Sequence, residues 1–65
     1  YIHGNPVLLR ESSRYWEGDV ILVEKFNPQE FVTAIHQKGA DEWCWGHYFS
    51  SYEAALKDLN ERWKP

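Results

Sequence analysis

The sequence predicts an α+β fold in which a three- or four-stranded antiparallel meander packs against one C-terminal helix. Short runs rich in β-branched and aromatic residues, separated by turn residues, occupy most of the chain. An apolar stripe at helical spacing occupies its C-terminal end. The connections between the runs are too short for parallel crossovers, so consecutive strands are expected to pair antiparallel. The helix must then bury its stripe against one face of the sheet.

Each predicted strand is a short apolar run bounded by turn residues. The clearest run is "DVILVEKF", and Pro28 marks the turn that follows it. Gly39 offers a positive φ in the short loop after "FVTAIHQ". The opening "YIHGNP" is predicted to be a loose lead-in because it contains a Gly-Asn-Pro breaker. The strands are expected at about residues 7–10, 19–26, 31–37 and 42–49.

The helix is predicted over residues 51–63. Ser50 and Glu53 have the spacing of a capping box, and Ser51 is an equally suitable N-cap. The buried stripe is expected to consist of Tyr52, Ala55, Leu56, Leu59 and Trp63. The opposite, polar side of the helix is assigned to Glu53, Lys57, Asp58 and Glu61.

Length and composition limit the possible functions. The 65 residues predict a single small α+β domain over 1–65, and the single Cys excludes an internal disulfide. Four Trp, four Tyr and three Phe are enough to supply much of a small core. The net charge of −3 disfavours nonspecific binding to nucleic acid. No apolar run is long enough to cross a membrane, and the free thiol suggests a reducing, cytoplasmic location. Since the chain contains no Met, it is expected to be a processed chain or a domain of a longer protein.

The stretch "EWCWGHYF" determines the functional prediction. Strand alternation assigns one face to Trp43, Trp45, His47 and Phe49, and the other face to Glu42, Cys44, Gly46 and Tyr48. Small residues often mark the face that a helix approaches. The helix is therefore expected on the side of Cys44, Gly46 and Ala34, which leaves Trp43 and Trp45 on the open face. The alternative is that both tryptophans pack under the helix as core.

A helix of this length cannot cover both apolar faces of the sheet. The second face is therefore either partly exposed or covered by the segment that contains Tyr15 and Trp16. An exposed aromatic face on a small protein usually marks a contact surface. We therefore predict a non-catalytic protein-interaction or regulatory module that binds a protein partner, or a second copy of itself, and needs no cofactor. The predicted contact residues are Trp16, Trp43, Trp45, His47 and Arg14.

Two other binding functions remain open at this point. A nucleic acid could bind the sheet through aromatic stacking and basic side chains. The residues for this alternative are Arg10, Arg14, Lys25 and Lys38. The second is a metal site built from Cys44, His47 and His36. Zinc needs about four converging ligands, and strand alternation places Cys44 and His47 on opposite faces. The same separation argues against thiol catalysis by a Cys/His pair.

The C-terminal half resembles known sheet-and-helix domains. The pattern begins with an aromatic residue at the start of an apolar strand. It continues, at set spacings, with a glycine, a second aromatic residue and two alanines at the start of a helix. Phe31, Ile35, Gly46, Tyr48 and Ala54-Ala55 occupy these places. This pattern is similar to the plant ethylene-response-factor type of DNA-binding domain, and the architecture is similar to the arm-binding domains of phage and transposon integrases.

A second motif also points to a strand followed by a capped helix. Phe49, Ser51 and Ala55 match the closing F-x-S-x-x-x-A of the WGR domain, which the chain resembles here. These resemblances imply a sheet packed on a helix. They do not carry over DNA binding, because the strands offer Lys25 and His36 where the DNA-binding family has several arginines and tryptophans. The short chain also resembles small accessory proteins of phages and mobile elements.

Overall fold

A computed structural model describes residues 1–13 and 17–62 and contains a four-stranded antiparallel sheet packed against one helix. The predicted fold class is confirmed. The strand order in the sheet follows the chain, so the first and fourth strands form its edges. The elements are β1 (Val7–Ser12), β2 (Asp19–Lys25), β3 (Glu30–His36), β4 (Cys44–Phe49) and α1 (Tyr52–Arg62).

One face of the sheet packs on α1. Val20, Leu22 and Ile35 from the two central strands meet Ala55 and Leu59 of the helix, and all five side chains are at most 3% exposed. The small side chain of Ala55 lets the helix approach the sheet closely. The helix begins after Ser51, whose hydroxyl oxygen accepts a hydrogen bond from the Ala54 amide at 3.3 Å. Of the two candidate N-caps, the structure therefore uses Ser51.

The opposite face has a core of its own. Fully buried side chains of β2 and β3 form its floor: Ile21, Val23, Val32 and Ala34. Ile2 covers them and is itself only 5% exposed. Because the N-terminal segment covers this face, the chain buries apolar residues on both sides of a single sheet.

The N-terminal segment is an ordered turn, so its prediction as a loose lead-in is wrong. Ile2 and Asn5 exchange two backbone hydrogen bonds of 2.9 Å each. Between them His3 has φ 52° and Gly4 has φ 75°. Two consecutive positive φ angles are the geometry of the tight turns that close two-residue hairpins. The His3-Gly4 turn therefore directs the chain back over the sheet. Tyr15 and Trp16, predicted as the alternative cover, lie outside the described residues.

Candidate protein-interaction edge

A β-bulge interrupts β4. Pairing with β3 is regular from Phe49 opposite Phe31 to His47 opposite Thr33. The register then shifts by one residue, and Cys44 lies opposite Ile35, where regular pairing would place Trp45. Trp45 has φ 59°, a left-handed conformation that is uncommon for a bulky residue. One extra residue is therefore inserted into β4 at this point.

The bulge overturns the predicted division of β4 between the two faces. Cys44 and His47 stand opposite Ile35 and Thr33, which both face α1. Trp43 instead packs against the core on the other face. The predictions that Trp43, Trp45, His47 and Phe49 share one face, and that Cys44 and His47 are separated, are therefore wrong. Alternation assumes an unbroken period of two residues, and the bulge shifts that period by one.

Small side chains under Trp43 make room for its ring. A Cβ atom on Gly46 would lie 3.3 Å from Trp43 Nε1, 3.3 Å from Tyr48 Cε1 and 3.5 Å from Val32 Cγ1. Ala34 belongs to the same core cluster against which Trp43 packs. The expectation that Gly46 and Ala34 mark the helix side is therefore wrong. They mark the side on which a half-buried tryptophan lies across the sheet.

Two aromatic rings of β4 are exposed. Trp45 is 69% exposed at the bulge, and Tyr48 is 53% exposed on the face away from α1. The Lys25 ammonium lies 5.5 Å from the centre of the Tyr48 ring, within the range of a cation–π contact. These two rings and the strand Cys44–Phe49 form the β4 edge. In the described part of the chain, no strand pairs with the outer side of β4.

A polar network on the helix side supports the β4 edge. The Asp58 carboxylate accepts a hydrogen bond from the hydroxyl of the buried Thr33. The same oxygen lies 3.0 Å from His47 Nδ1. The prediction of Asp58 on the solvent side of the helix is therefore wrong. The i, i+4 pattern does not show that the sheet places a hydroxyl and an imidazole within reach of this carboxylate.

Arg62 fills the gap that the bulge opens between β3 and β4. Its Nη1 donates to the Thr33 carbonyl oxygen at 2.9 Å, and its Nη2 donates to the Trp45 carbonyl oxygen at 2.6 Å. Burial lowers the pKa of Arg62, while Asp58 and Cys44 act in the opposite direction. The guanidinium remains charged, because even a lowered arginine pKa stays far above neutrality. Through Arg62, the helix thus supplies hydrogen bonds to main-chain oxygens of β3 and β4 where the pairing of the two strands is interrupted.

The residues predicted for a metal site do not converge. Cys44 and His47 lie on the helix side, whereas His36 lies on the other face and is 5% exposed. Both ring nitrogens of His36 have partners, at 2.9 Å from Arg10 Nη2 and 2.9 Å from the Ala40 carbonyl oxygen. Among residues 1–13 and 17–62, no three His, Cys, Asp or Glu side chains are grouped to hold a metal ion.

The basic residues predicted for nucleic-acid binding are also dispersed. Arg10 is ion-paired with Asp19 at 2.5 Å. Lys25 lies at the end of β2 nearest the β2–β3 turn, and Lys38 lies in the loop at the other end of the sheet. The three described side chains therefore form no common basic patch. Arg14 and Trp16, which belong to the predicted sites, lie outside the described residues.

Comparisons with protein-family models, with curated proteins and with solved structures found no match. In residues 1–13 and 17–62, no helix is long and apolar enough to cross a membrane.

Proposed function

We propose that this chain is a non-catalytic protein-interaction module and that it binds its partner through the β4 edge. One observation carries the proposal: an edge strand without Lys, Arg, Asp or Glu presents two large rings, Trp45 and Tyr48, at 69% and 53% exposure. Trp and Tyr dominate the energetics of many protein interfaces because they bury a large area at low entropic cost.

The backbone of β4 also supports a protein partner. An edge strand offers unpaired N–H and C=O groups to which an extended segment can add. Natural edge strands are commonly protected by Pro or by charged residues such as Lys, and the sequence of β4, "CWGHYF", contains no Pro, Lys, Arg, Asp or Glu. The bulge at Trp45 restricts regular strand addition to the part of β4 that follows it. The ring of Trp45 is then expected to provide the contact on the other side of the bulge.

The polar groups beside β4 favour a structural over a catalytic role. His47 Nδ1 is engaged by Asp58, and the Arg62 guanidinium is engaged by two main-chain oxygens. The Cys44 thiol lies 3.6 Å from the Ile35 carbonyl oxygen. Each group therefore has a contact that stabilises the bulge or the adjoining strand. Trp43 packs in the second core cluster, so the proposal assigns it to the core rather than to the contact surface.

The test is a selection of extended peptides from a random display library against the immobilised chain, followed by calorimetric titration. Trp45→Asn removes the ring, and Asn tolerates the left-handed backbone at this position. The expected loss of affinity is about 30-fold or more, equivalent to about 2 kcal/mol. The matched control is Phe26→Asn, which removes a ring that is 53% exposed in the β2–β3 turn.

Sedimentation equilibrium of the same variants distinguishes self-association from binding to another protein. A dimer that dissociates on Trp45→Asn, but not on Phe26→Asn, identifies a second copy as the partner. A monomer whose selected peptides depend on Trp45 identifies another protein. Peptides that bind both variants as they bind the parent chain contradict the proposed use of the β4 edge.

A further inference from the structure

A cleft of about 530 Å³ lies beside β1, and it is lined by residues of β1, the N-terminal turn, the end of β3 and the β3–β4 loop. This volume is within the range of small-molecule sites, about 300–1,000 Å³. Ile2 and Leu8 contribute apolar walls, and Arg10 and His36 contribute polar lining. The cleft belongs to the β1 side of the sheet, whereas the proposed protein contact belongs to the β4 edge.

Arg10 is held in a fixed orientation at this cleft. Its Nη1 lies 2.5 Å from Asp19 Oδ2, and its Nη2 lies 2.9 Å from His36 Nδ1. A guanidinium has five N–H donors, and in the described part of the chain these contacts occupy only two nitrogens. The side chain is 36% exposed. Donors therefore remain available on a group that has already lost much of its conformational freedom, which lowers the entropic cost of binding.

His36 fixes the position of Arg10. Its Nε2 lies 2.9 Å from the carbonyl oxygen of Ala40, and a carbonyl oxygen can only accept a hydrogen bond. The hydrogen is therefore on Nε2, and Nδ1 accepts from Arg10. The same ring thereby connects the β3–β4 loop to the guanidinium, so two walls of the cleft are held by one buried side chain.

We propose that this cleft binds a carboxylate attached to a small apolar group. The carboxylate bonds to the Arg10 guanidinium, whose planar donors match its two oxygens. The apolar group packs against Ile2 and Leu8. Asp19 already compensates the positive charge of Arg10, so the second negative charge of a dianion such as phosphate adds little binding energy here. A monoanionic carboxylate with an apolar group gains the additional apolar contact. Such a ligand has two natural sources, the C-terminal residue of a peptide and a free carboxylic acid.

The test is a titration of the ¹⁵N-labelled chain with three probes, followed by NMR. N-acetyl-leucine imitates a peptide C-terminus, 4-methylpentanoate is the corresponding free acid, and N-acetyl-leucinamide lacks the carboxylate. Both acids are expected to shift the amide signals of Leu8, His36 and Ala40, and the amide is expected to bind at least about tenfold more weakly. Tighter binding of N-acetyl-leucine identifies a peptide C-terminus. Equal or tighter binding of 4-methylpentanoate identifies a free acid.

Three variants assign the binding to this cleft. Arg10→Lys keeps the charge and loses the planar fork, so a loss of about tenfold in acid affinity is expected. Leu8→Asp places a carboxylate beside Arg10 at a position that is already 40% exposed, and it is expected to abolish binding without removing core. Lys38→Met is the control, since it removes a positive charge in the β3–β4 loop and is expected to change affinity by less than about twofold.

Each contrary outcome overturns the proposal. One is equal binding of N-acetyl-leucine and its amide. Another is unchanged binding in both Arg10→Lys and Leu8→Asp. A third is the absence of shifts at Leu8, His36 and Ala40 at millimolar concentrations of either acid. Failure here leaves the β4 edge untouched, because the two surfaces are tested with different probes and different variants.

Discussion

Both edge strands of the sheet pair irregularly with their neighbours, but they differ in the side chains that they present. β1 pairs irregularly with β2 between Val7 and Leu9, and β4 pairs irregularly with β3 next to Trp45. In β1, charged residues follow the bulge, and one of them, Arg10, is tied to Asp19. In β4, two exposed rings lie on a strand that contains no Lys, Arg, Asp or Glu. Bulges and charges are both devices that prevent strand addition. β4 has a bulge but lacks these charged residues, so β4 is the edge strand better suited to bind a partner.

The support behind the two bulges differs as well. The bulge in β4 is backed by Arg62, which donates hydrogen bonds to main-chain oxygens of both strands. The β1 side is backed by the N-terminal turn, in which Ile2 packs over the sheet. One support is therefore polar and comes from the helix, and the other is apolar and comes from the first residues of the chain. Substitutions of Arg62 and Ile2 separate the two contributions to stability.

The largest effect is expected from Arg62→Met. This change removes the donors to the Thr33 and Trp45 carbonyl oxygens. Since hydrogen bonds to charged groups contribute about 1.5–3 kcal/mol each, we expect a loss of about 2–3 kcal/mol in the free energy of unfolding. Urea denaturation measures it. Glu61→Met is the control, because Glu61 is exposed on the same turn of the helix. Equal stability of both variants would show that the guanidinium does not support the bulge.

A slightly smaller effect is expected from Ile2→Ala. The side chain is 5% exposed over the second core, and large-to-small substitutions of this kind cost about 2 kcal/mol or more when the site is well packed. Tyr1→Ala, at a residue that is 91% exposed, is expected to remain within about 0.5 kcal/mol of the parent chain. If Ile2→Ala is equally harmless, the N-terminal turn does not act as a cover for the sheet.

Gly46→Ala is expected to cost about 1 kcal/mol. The added methyl group would lie 3.3 Å from the ring atoms of both Trp43 and Tyr48, so one ring must move. Tryptophan fluorescence should shift to longer wavelength as Trp43 becomes more exposed, and urea denaturation gives the stability. An unchanged spectrum together with unchanged stability would mean that the ring of Trp43 does not pack closely over Gly46.

The smallest effect on stability is expected from Trp45→Asn. The ring is 69% exposed, so its removal should change the free energy of unfolding by less than about 0.5 kcal/mol. Thermal and urea denaturation provide the measurement. A large loss of stability would instead make this ring part of the core and would weaken its role at the β4 edge.

The sequence predicts the architecture well because hydrophobic periodicity determines it. The run of β2 and the stripe that contains Ala55 and Leu59 lead directly to a sheet with a helix on one face. The faces of β4 cannot be predicted in the same way, because an inserted residue at Trp45 shifts the period without a change in composition. A glycine inside a strand is the available signal for such a bulge, and Gly46 directly follows Trp45.

The polar contacts also cannot be predicted from the sequence alone, because they depend on the register between strands. Arg10 and His36 are far apart in the chain and meet only because β1, β2 and β3 pair in one particular register. Asp58 likewise turns to the sheet because β3 and β4 place Thr33 and His47 beneath it. Such contacts require the tertiary arrangement and cannot be inferred from spacing within one element.

The measurement that tests the β4 edge most directly is amide hydrogen exchange with and without the partner, either a selected peptide or a second copy at high concentration. The outward-facing amides of residues 46–49, which follow the bulge, are expected to become protected on binding, and those of Val7–Ser12 are expected to exchange at an unchanged rate. Protection confined to β1, or no change in either edge strand when the partner is bound, would contradict the proposed role of β4.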